Sequence, residues 1–403
     1  MPKRFLPKED NMKDRDMEAL KLHKKLKGKI EIKSRFPIRS LKDLSLVYTP
    51  HVAVVSNEIH RDKKKVYDYT SKWNNVAIVT DGSRLLGLGN LGPEAALPVM
   101  EGKAMIFKQF GKINAFPICL ATQEKHDIMK TVEQIAPVFG AINIEDIESP
   151  KSLEIVEHLQ QELNIPVFHD DQHGTATVVL AALINALKIV HKDLRQARIV
   201  IAGAGAAGYG IVKILAHVGA KKVLVVDSKG IINSKRNENM NPYKQRIANI
   251  TNRENINGSL KEAIRGADVL IGVSGKSNLI TKEMVGTMCK DAIVFALSNP
   301  DPEIMPKDAK KGGARIIATG RSDYYNQVNN ALIFPFILRV ALDLRIRSID
   351  EGMLVNVATS LSQLVGKKLS EKYILPSLAD KRILSTIARS MKNNSKSSAS
   401  FDS

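Results

Sequence analysis

Two adjacent acidic pairs, Glu145-Asp146 and Asp170-Asp171, carry the strongest chemical signal in the chain. Each follows an apolar, strand-like run (Ile142-Asn143-Ile144 and Val167-Phe168-His169) and lies in or near a turn. Neighbouring carboxylates at strand ends repel one another unless something offsets the repulsion. A hard divalent cation does so, and three carboxylates with water and substrate oxygens suit Mg²⁺ or Mn²⁺. Either pair alone would read as a helix cap or a surface turn. Two pairs in the same setting point to a metal. His169 and His173 have the i, i+4 spacing of a helical zinc pair, but residue 170 is Asp where the zinc motif has Glu. They read as hydrogen-bonded groups behind the site or in the core.

Lys103 lies in Pro98-Val99-Met100-Glu101-Gly102-Lys103-Ala104, with apolar residues on both sides. Burial and a nearby cation lower a lysine's pKa, so that its neutral amine can act as a base. Without such surroundings the same lysine would snorkel to the surface. Tyr48, in Val47-Tyr48-Thr49-Pro50, is a candidate acid on a turn and is uninformative by itself.

The elements that must position these groups have two textures. From about residue 41 to 166, short apolar runs such as Val76-Ala77-Ile78-Val79 mix with Gly/Pro turns and helical segments such as 128–135. From 198 to about 320 apolar runs recur regularly, at 199–202, 223–226, 269–272, 293–296 and 316–318, mostly separated by helical segments. That alternation predicts a parallel sheet covered on both faces. A buried helix over 175–192 leads into it, and helices over 330–344 and 350–369 follow it.

The first strand of this sheet runs into Gly203-Ala204-Gly205-Ala206-Ala207-Gly208 and then a helix, and Asp227 ends the next strand 19 residues beyond Gly208. This is the context a dinucleotide fingerprint requires. The glycines let the backbone approach a pyrophosphate, and the helix amino end offers free N–H groups. Asp227 can accept from a ribose hydroxyl, which favours NAD, whereas Lys229 close by favours NADP. A second match, Gly87-Leu88-Gly89-Asn90-Leu91-Gly92, has no acidic residue ending a following strand and is followed at once by Pro93. It reads as a close-packed turn beside the active site. The predicted fold is α/β: a Rossmann-like domain on a doubly wound parallel sheet over 175–340, plus a mixed α/β domain over 41–174. A basic helical segment (1–40) precedes them, and C-terminal helices (341–392) and a disordered tail (393–403) follow.

The net charge is +18, of which residues 1–42 hold +8. Such a balance suits anionic substrates. No aromatic-interleaved RNA motif or zinc finger accompanies it, so nucleic acid is not an expected partner. No apolar run approaches the roughly 20 residues of a membrane helix. The two cysteines, Cys119 and Cys289, form no C-x-x-C, and a reducing cytoplasm is the expected location.

From about residue 40 to residue 345 the sequence resembles malic enzyme. The likeness runs through Tyr48-Thr49-Pro50, Gly87 to Lys103, Asn143 to Asp146, Phe168 to Thr175, Gly203 to Gly208, Ser298-Asn299-Pro300-Asp301-Pro302-Glu303, Thr319-Gly320-Arg321-Ser322-Asp323 and Asn326-Gln327-Val328-Asn329-Asn330. The length is that of the short bacterial and archaeal form. The resemblance implies oxidative decarboxylation of L-malate to pyruvate and CO₂ with NAD or NADP, and a homodimer or higher homo-oligomer. It implies that Glu145, Asp146 and Asp171 ligate Mg²⁺ or Mn²⁺, that Lys103 is the general base tuned by Asp170, and that Tyr48 protonates C3. Asn299, Asn329 and Asn330 would hold substrate carboxylate and cofactor amide groups. The chain departs from the family pattern at His51, Arg84, Tyr325 and Val340, none of which removes a proposed chemical group. Two rival readings are a metal-independent two-domain dehydrogenase, which leaves the acidic pairs unexplained, and a basic nucleic-acid-binding protein on an inherited dehydrogenase fold.

Overall fold

The structure, a computed structural model, describes residues 10–398. Among the described residues ten strands form two sheets: β1 (Asn75–Thr80), β2 (Asn114–Cys119), β3 (Ala141–Ile144), β4 (Val167–His169), β5 (Arg198–Ala202), β6 (Lys222–Asp227), β7 (Gly230–Ile231), β8 (Val269–Gly272), β9 (Ile293–Ala296) and β10 (Ile316–Thr319). The first sheet has the order β2-β1-β3-β4 and is parallel throughout. The second has the order β10-β9-β8-β5-β6-β7, parallel except for the β6–β7 pair. β5 lies between β6 and β8, so the chain leaves it in one direction and returns on its other side. A crevice opens at the carboxyl ends of the strands at such a reversal.

Continuous apolar strands require cover on both faces, and both sheets have it. The described residues pack into three apolar clusters. The largest is centred on helix Thr175–Ile189, in which eleven residues are buried. A helix apolar around most of its circumference belongs in a core. Here it joins the two sheets through one continuous cluster that includes Val76 and Phe168 from the first and Ile199 and Phe295 from the second. The helix ends at Ile189, three residues before the predicted boundary, and His191 adopts φ +55 just beyond it.

Helix Pro93–Gly111 starts with Pro at its first position, where a missing N–H costs nothing. Beyond β4 the backbone widens into a π-helical turn, Asp170–Gly174, before the α-helix begins. Such widened turns occur frequently at functional sites. The predicted disordered tail needs correction. The last helix, Ile383–Ser398, carries six of its eleven residues, and 399–403 lie outside the described residues. No helix among the described residues is long and apolar enough to cross a membrane.

Candidate active site

A cleft of about 430 Å³ lies between the two sheets, at their carboxyl ends. Its walls come from distant parts of the chain: Lys103 on helix Pro93–Gly111, Glu145 and Asp146 after β3, Asp171 in the π-turn after β4, Gly205 to Ala207 after β5, and Asn299 after β9.

Lys103 is the electrostatic hub. Its Nζ lies 2.5 Å from Glu145 Oε1 and 2.5 Å from Asp170 Oδ2, and it stands over the Phe334 ring at 4.5 Å. Asn330 Nδ2 donates to the same Asp170 oxygen at 2.6 Å, and Asn143 Nδ2 donates to Glu145 Oε2 at 2.9 Å. Burial works against the Lys103 charge, but the two carboxylates outweigh it and hold the ammonium above its ordinary pKa. The expectation of a lowered lysine pKa is therefore reversed while both anions face it. Their desolvation in the same pocket binds the proton more tightly than water would.

Glu145, Asp146 and Asp171 each present an oxygen within 4.8 Å of the others. Asp146 is held at φ +49 by its surroundings: the N–H groups of Arg84 and Leu86 donate to its carbonyl and carboxylate, at 3.1 and 3.4 Å. Its own N–H donates to Asp171 Oδ2 at 3.3 Å. Burial, and then the charge of Asp171, push the Asp146 carboxyl up to about 7. Glu145 is also raised well above the carboxylate range, mainly by burial. Asp171 goes the other way: burial opposes its charge, but the His169 imidazole, 3.7 Å away, and Lys103 hold it low. Three converging carboxylate oxygens whose like charges repel, partly open to a cleft, fit a hard divalent cation.

The sign of this arrangement can be tested. A carboxyl whose folded pKa exceeds its unfolded value stabilises the fold most at pH below the unfolded value. That contribution is lost as pH rises through the folded value, here about 7 for Asp146. The EDTA-treated protein is expected to lose Tm between about pH 4 and 7, and Mn²⁺ to raise Tm more at about pH 8 than at about pH 6. A Mn²⁺-induced gain that is flat across this range would count against the three-carboxylate site.

The histidines stand behind the carboxylates. His169 is fully buried, and its backbone N–H donates to His173 Nδ1 at 3.1 Å. His173 packs on Phe168, and burial lowers its pKa to about 3, so it is neutral.

The cofactor turn forms as the sequence predicts. Gly203 has φ +127, and a Cβ there would meet the Val273 carbonyl oxygen at 2.5 Å; one on Gly208 would meet the Gly203 carbonyl oxygen at 2.0 Å. The turn is thereby pressed against the strand ends, and the amino end of helix Ala206–His217 faces the cleft. Gly87, in the second glycine match, has φ +126, and a Cβ there would fall 2.2 Å from the Asn299 carbonyl oxygen. That turn is a close-packed wall of the cleft.

Asp227 departs from expectation. Both its oxygens are occupied: Arg236 donates twice, at 2.9 and 2.7 Å, and Lys244 Nζ lies at 2.8 Å. The Lys229 N–H donates at 2.8 Å, while the Lys229 ammonium pairs with Glu238. The cations beside Asp227 are therefore Arg236 and Lys244, in place of Lys229. The carboxylate is more than neutralised, which removes the repulsion it would otherwise exert on a ribose 2′-phosphate.

Asn299, Asn329 and Asn330 all line the cleft. Asn329 also caps the short turn after it, accepting from the Ala331 N–H at 2.8 Å. Tyr48 does not line the cleft. It ends helix Leu41–Val47 and is 64% exposed, on a segment whose Leu41, Val47, Val52 and Val54 are also exposed. Among the described residues nothing packs on that segment tightly enough to turn Tyr48 inward.

Two residues escaped the sequence reading. Arg84 lines the cleft, with its guanidinium against Gly275 and no ion-pair partner among the described residues. It had registered only as a departure from pattern. Glu303 is fully buried and accepts from Ser274 (N–H 2.8 Å, Oγ 3.0 Å) and Ser298 (N–H 3.1 Å, Oγ 2.5 Å). It ties together the loops after β8 and β9 that form the cofactor side of the cleft. The Asn299-to-Glu303 motif was visible, but nothing local distinguished a surface glutamate from this clamp.

Comparison with known proteins identifies the architecture. Residues 172–394 match the family model for the malic enzyme NAD binding domain, and residues 27–129 that for the malic enzyme N-terminal domain. The chain belongs to the malic enzyme family. It is 51% identical to a bifunctional malic/malolactic enzyme of Bacillus subtilis, over 93% of this chain and 91% of the relative. It is 49% identical to an NAD-dependent malic enzyme of Geobacillus stearothermophilus, over 90% and 76%. The crystal structure of an NAD-dependent malic enzyme from Thermotoga maritima superposes with a TM-score of 0.89 at 46% identity, covering 93% of this chain and 98% of that one. Malic enzyme relatives carrying NAD and NADP in their names both occur among the matches, in keeping with the neutralised Asp227.

Proposed function

We propose that this chain oxidises L-malate and decarboxylates the product to pyruvate and CO₂, reducing NAD or NADP, with Mg²⁺ or Mn²⁺ held by Glu145, Asp146 and Asp171. The observation that carries this reading is Lys103 Nζ between Glu145 and Asp170, in a cleft that also holds the dinucleotide turn. The bound cation would supply Lewis acidity toward the substrate's oxygens.

Lys103 takes the 2-hydroxyl proton of malate as C2 passes its hydride to the nicotinamide. Once the charge of Glu145 is engaged elsewhere it would no longer favour the ammonium, and the preference of Lys103 for the charged form falls to what Asp170 alone supports, the direction a base requires. Asn330 fixes the Asp170 oxygen that faces Lys103. Loss of CO₂ from the keto acid leaves an enolate, and Tyr48 returns a proton to C3. Gly203, Ala204, Gly205, Ala206, Ala207 and Gly208 carry the pyrophosphate, and Asn299 and Asn329 the carboxamide and carboxylate groups.

Arg84 pairs with a malate carboxylate. Arg84→Ala is expected to raise KM for malate roughly 10- to 100-fold, the loss of one charge-assisted pair, with kcat little changed. Equal KM in wild type and variant would remove it from the substrate site.

Tyr48 reaches the chemistry from a second copy. It stands on a segment with Leu41, Val47, Val52 and Val54, all exposed among the described residues of one chain. Exposed apolar side chains gathered on one short segment mark a contact surface, and a two-fold dimer would cover it on both chains at once. The free cysteines Cys119 and Cys289 suit a reducing cytoplasm.

The deciding experiment follows reduced nicotinamide by absorbance with malate as substrate, with each cofactor, and with Mn²⁺ present or chelated. Turnover lost with EDTA and restored by Mn²⁺ is expected. Turnover indifferent to chelation would favour a metal-independent dehydrogenase.

A further inference from the structure

At the opposite end of the six-stranded sheet, where β5 and β6 begin, a second cavity of about 540 Å³ opens against the loop 252–256. Arg198, Lys221, Lys222 and Arg253 line it, with Glu254 as the lone carboxylate. None of these four cationic side chains has a hydrogen-bond or ion-pair partner among the described residues. Neighbouring cations do find partners: Lys192 pairs with Asp268 at 2.7 Å, and Lys244 with Asp227 at 2.8 Å. The floor is aliphatic, from Ile199 and Val223, with Leu224 and Ile256 more open to solvent.

Unpaired like charges around one concavity repel, and a low-dielectric floor concentrates their field within it. A ligand with several negative charges offsets that repulsion, and the aliphatic floor calls for a flat apolar group on the same ligand. The volume falls in the range of small-molecule sites. No aromatic side chain lines the cavity, so the stacking platform of a single-stranded nucleic-acid groove is missing. We propose that this cavity binds a small aromatic polyanion of the nucleoside di- or triphosphate class, with the phosphates on Arg198, Lys221, Lys222 and Arg253 and the base on the aliphatic floor. Glu254 is available to accept from a ribose hydroxyl or an amino group. The site lies a full strand length from the dinucleotide turn, since β5 and β6 carry that turn and Asp227 at their other ends. It does not depend on the malate reaction.

The test titrates the full-length protein with trinitrophenyl-ATP at saturating NAD⁺, which blocks the adenosine subsite of the first cleft. A fluorescence signal should persist, and unlabelled ATP should displace it. The double variant Lys222→Glu with Arg253→Glu should weaken this residual binding on the order of 100-fold, from loss of two charge-assisted contacts. NAD⁺ affinity should be unchanged, which reports an intact fold. Any of three results overturns the proposal: no residual binding once NAD⁺ saturates, residual binding equal in wild type and variant, or displacement by polyuridylate and not by ATP.

Discussion

Lys103→Ala is expected to lower kcat for malate oxidation by about 10³-fold, within the range a positioned general base contributes, while NAD(P) affinity stays near normal. The asymmetry follows from position. Lys103 comes from helix Pro93–Gly111 and touches Glu145, Asp170 and Phe334, whereas the cofactor turn is built from β5 and the helix after it. The substitution also leaves two buried carboxylates facing each other without their shared cation. Removing one partner of a buried ion pair typically costs about 3–5 kcal/mol, so the variant should melt earlier when chelated and recover part of the loss with Mn²⁺. Cofactor binding, read by reduced-nicotinamide fluorescence, separates a folded, inactive enzyme from a misfolded one. Near-normal kcat in a folded variant would sink the assignment of the base.

Tyr48→Phe should reduce pyruvate formation from malate by about 10²-fold, the lower end of what an acid contributes, and should spare reduction of oxaloacetate, which needs no proton at C3. Equal loss of both reactions would rule Tyr48 out as the donor to C3. The same variant decides how Tyr48 reaches the cleft. Co-expressed with Lys103→Ala chains, it would form, if the proposed dimer holds, mixed dimers in which one site combines an intact Lys103 with an intact Tyr48 from the other chain. With random pairing, about a quarter of all sites are then complete, and activity should return to about that fraction of wild type. If each chain used its own Tyr48, no mixture would contain a complete site and no activity would return.

Much of this protein is legible from local patterns. The apolar runs at 199–202, 223–226, 269–272 and 293–296 coincide with β5, β6, β8 and β9, because a strand covered on both faces is apolar at every position. The glycine turn is equally plain, since Gly203 and Gly208 occupy places where a Cβ would strike backbone. The pairs Glu145-Asp146 and Asp170-Asp171 stand out as adjacent acids at strand ends, where charge repulsion demands a reason.

What lay beyond local reading depends on pairings between distant residues. Asp227 looked like a ribose acceptor by its place at the end of a strand, yet Arg236 and Lys244 reach it from the following loop and helix and consume its oxygens. Arg84, a departure from pattern in the sequence, is a cation in the cleft without an ion-pair partner among the described residues. Tyr48 stands out by its motif, but its exposed position outside the cleft depends on what packs against its helix, which no local pattern encodes. The direction of the Lys103 pKa also needed three dimensions: burial alone lowers it, and only the approach of Glu145 and Asp170 reverses the sign.

The sequence by itself determined the two α/β halves, the dinucleotide turn and the inventory of reactive groups, because strand burial, glycine sterics and clustered acids are encoded by neighbours along the chain. Only the tertiary structure decided which charges meet, since the interaction of Lys103 with Asp170, or of Asp170 with Asn330, depends on distance through space and on a shared low-dielectric pocket. Those contacts turn an inventory of acids and a lysine into one site.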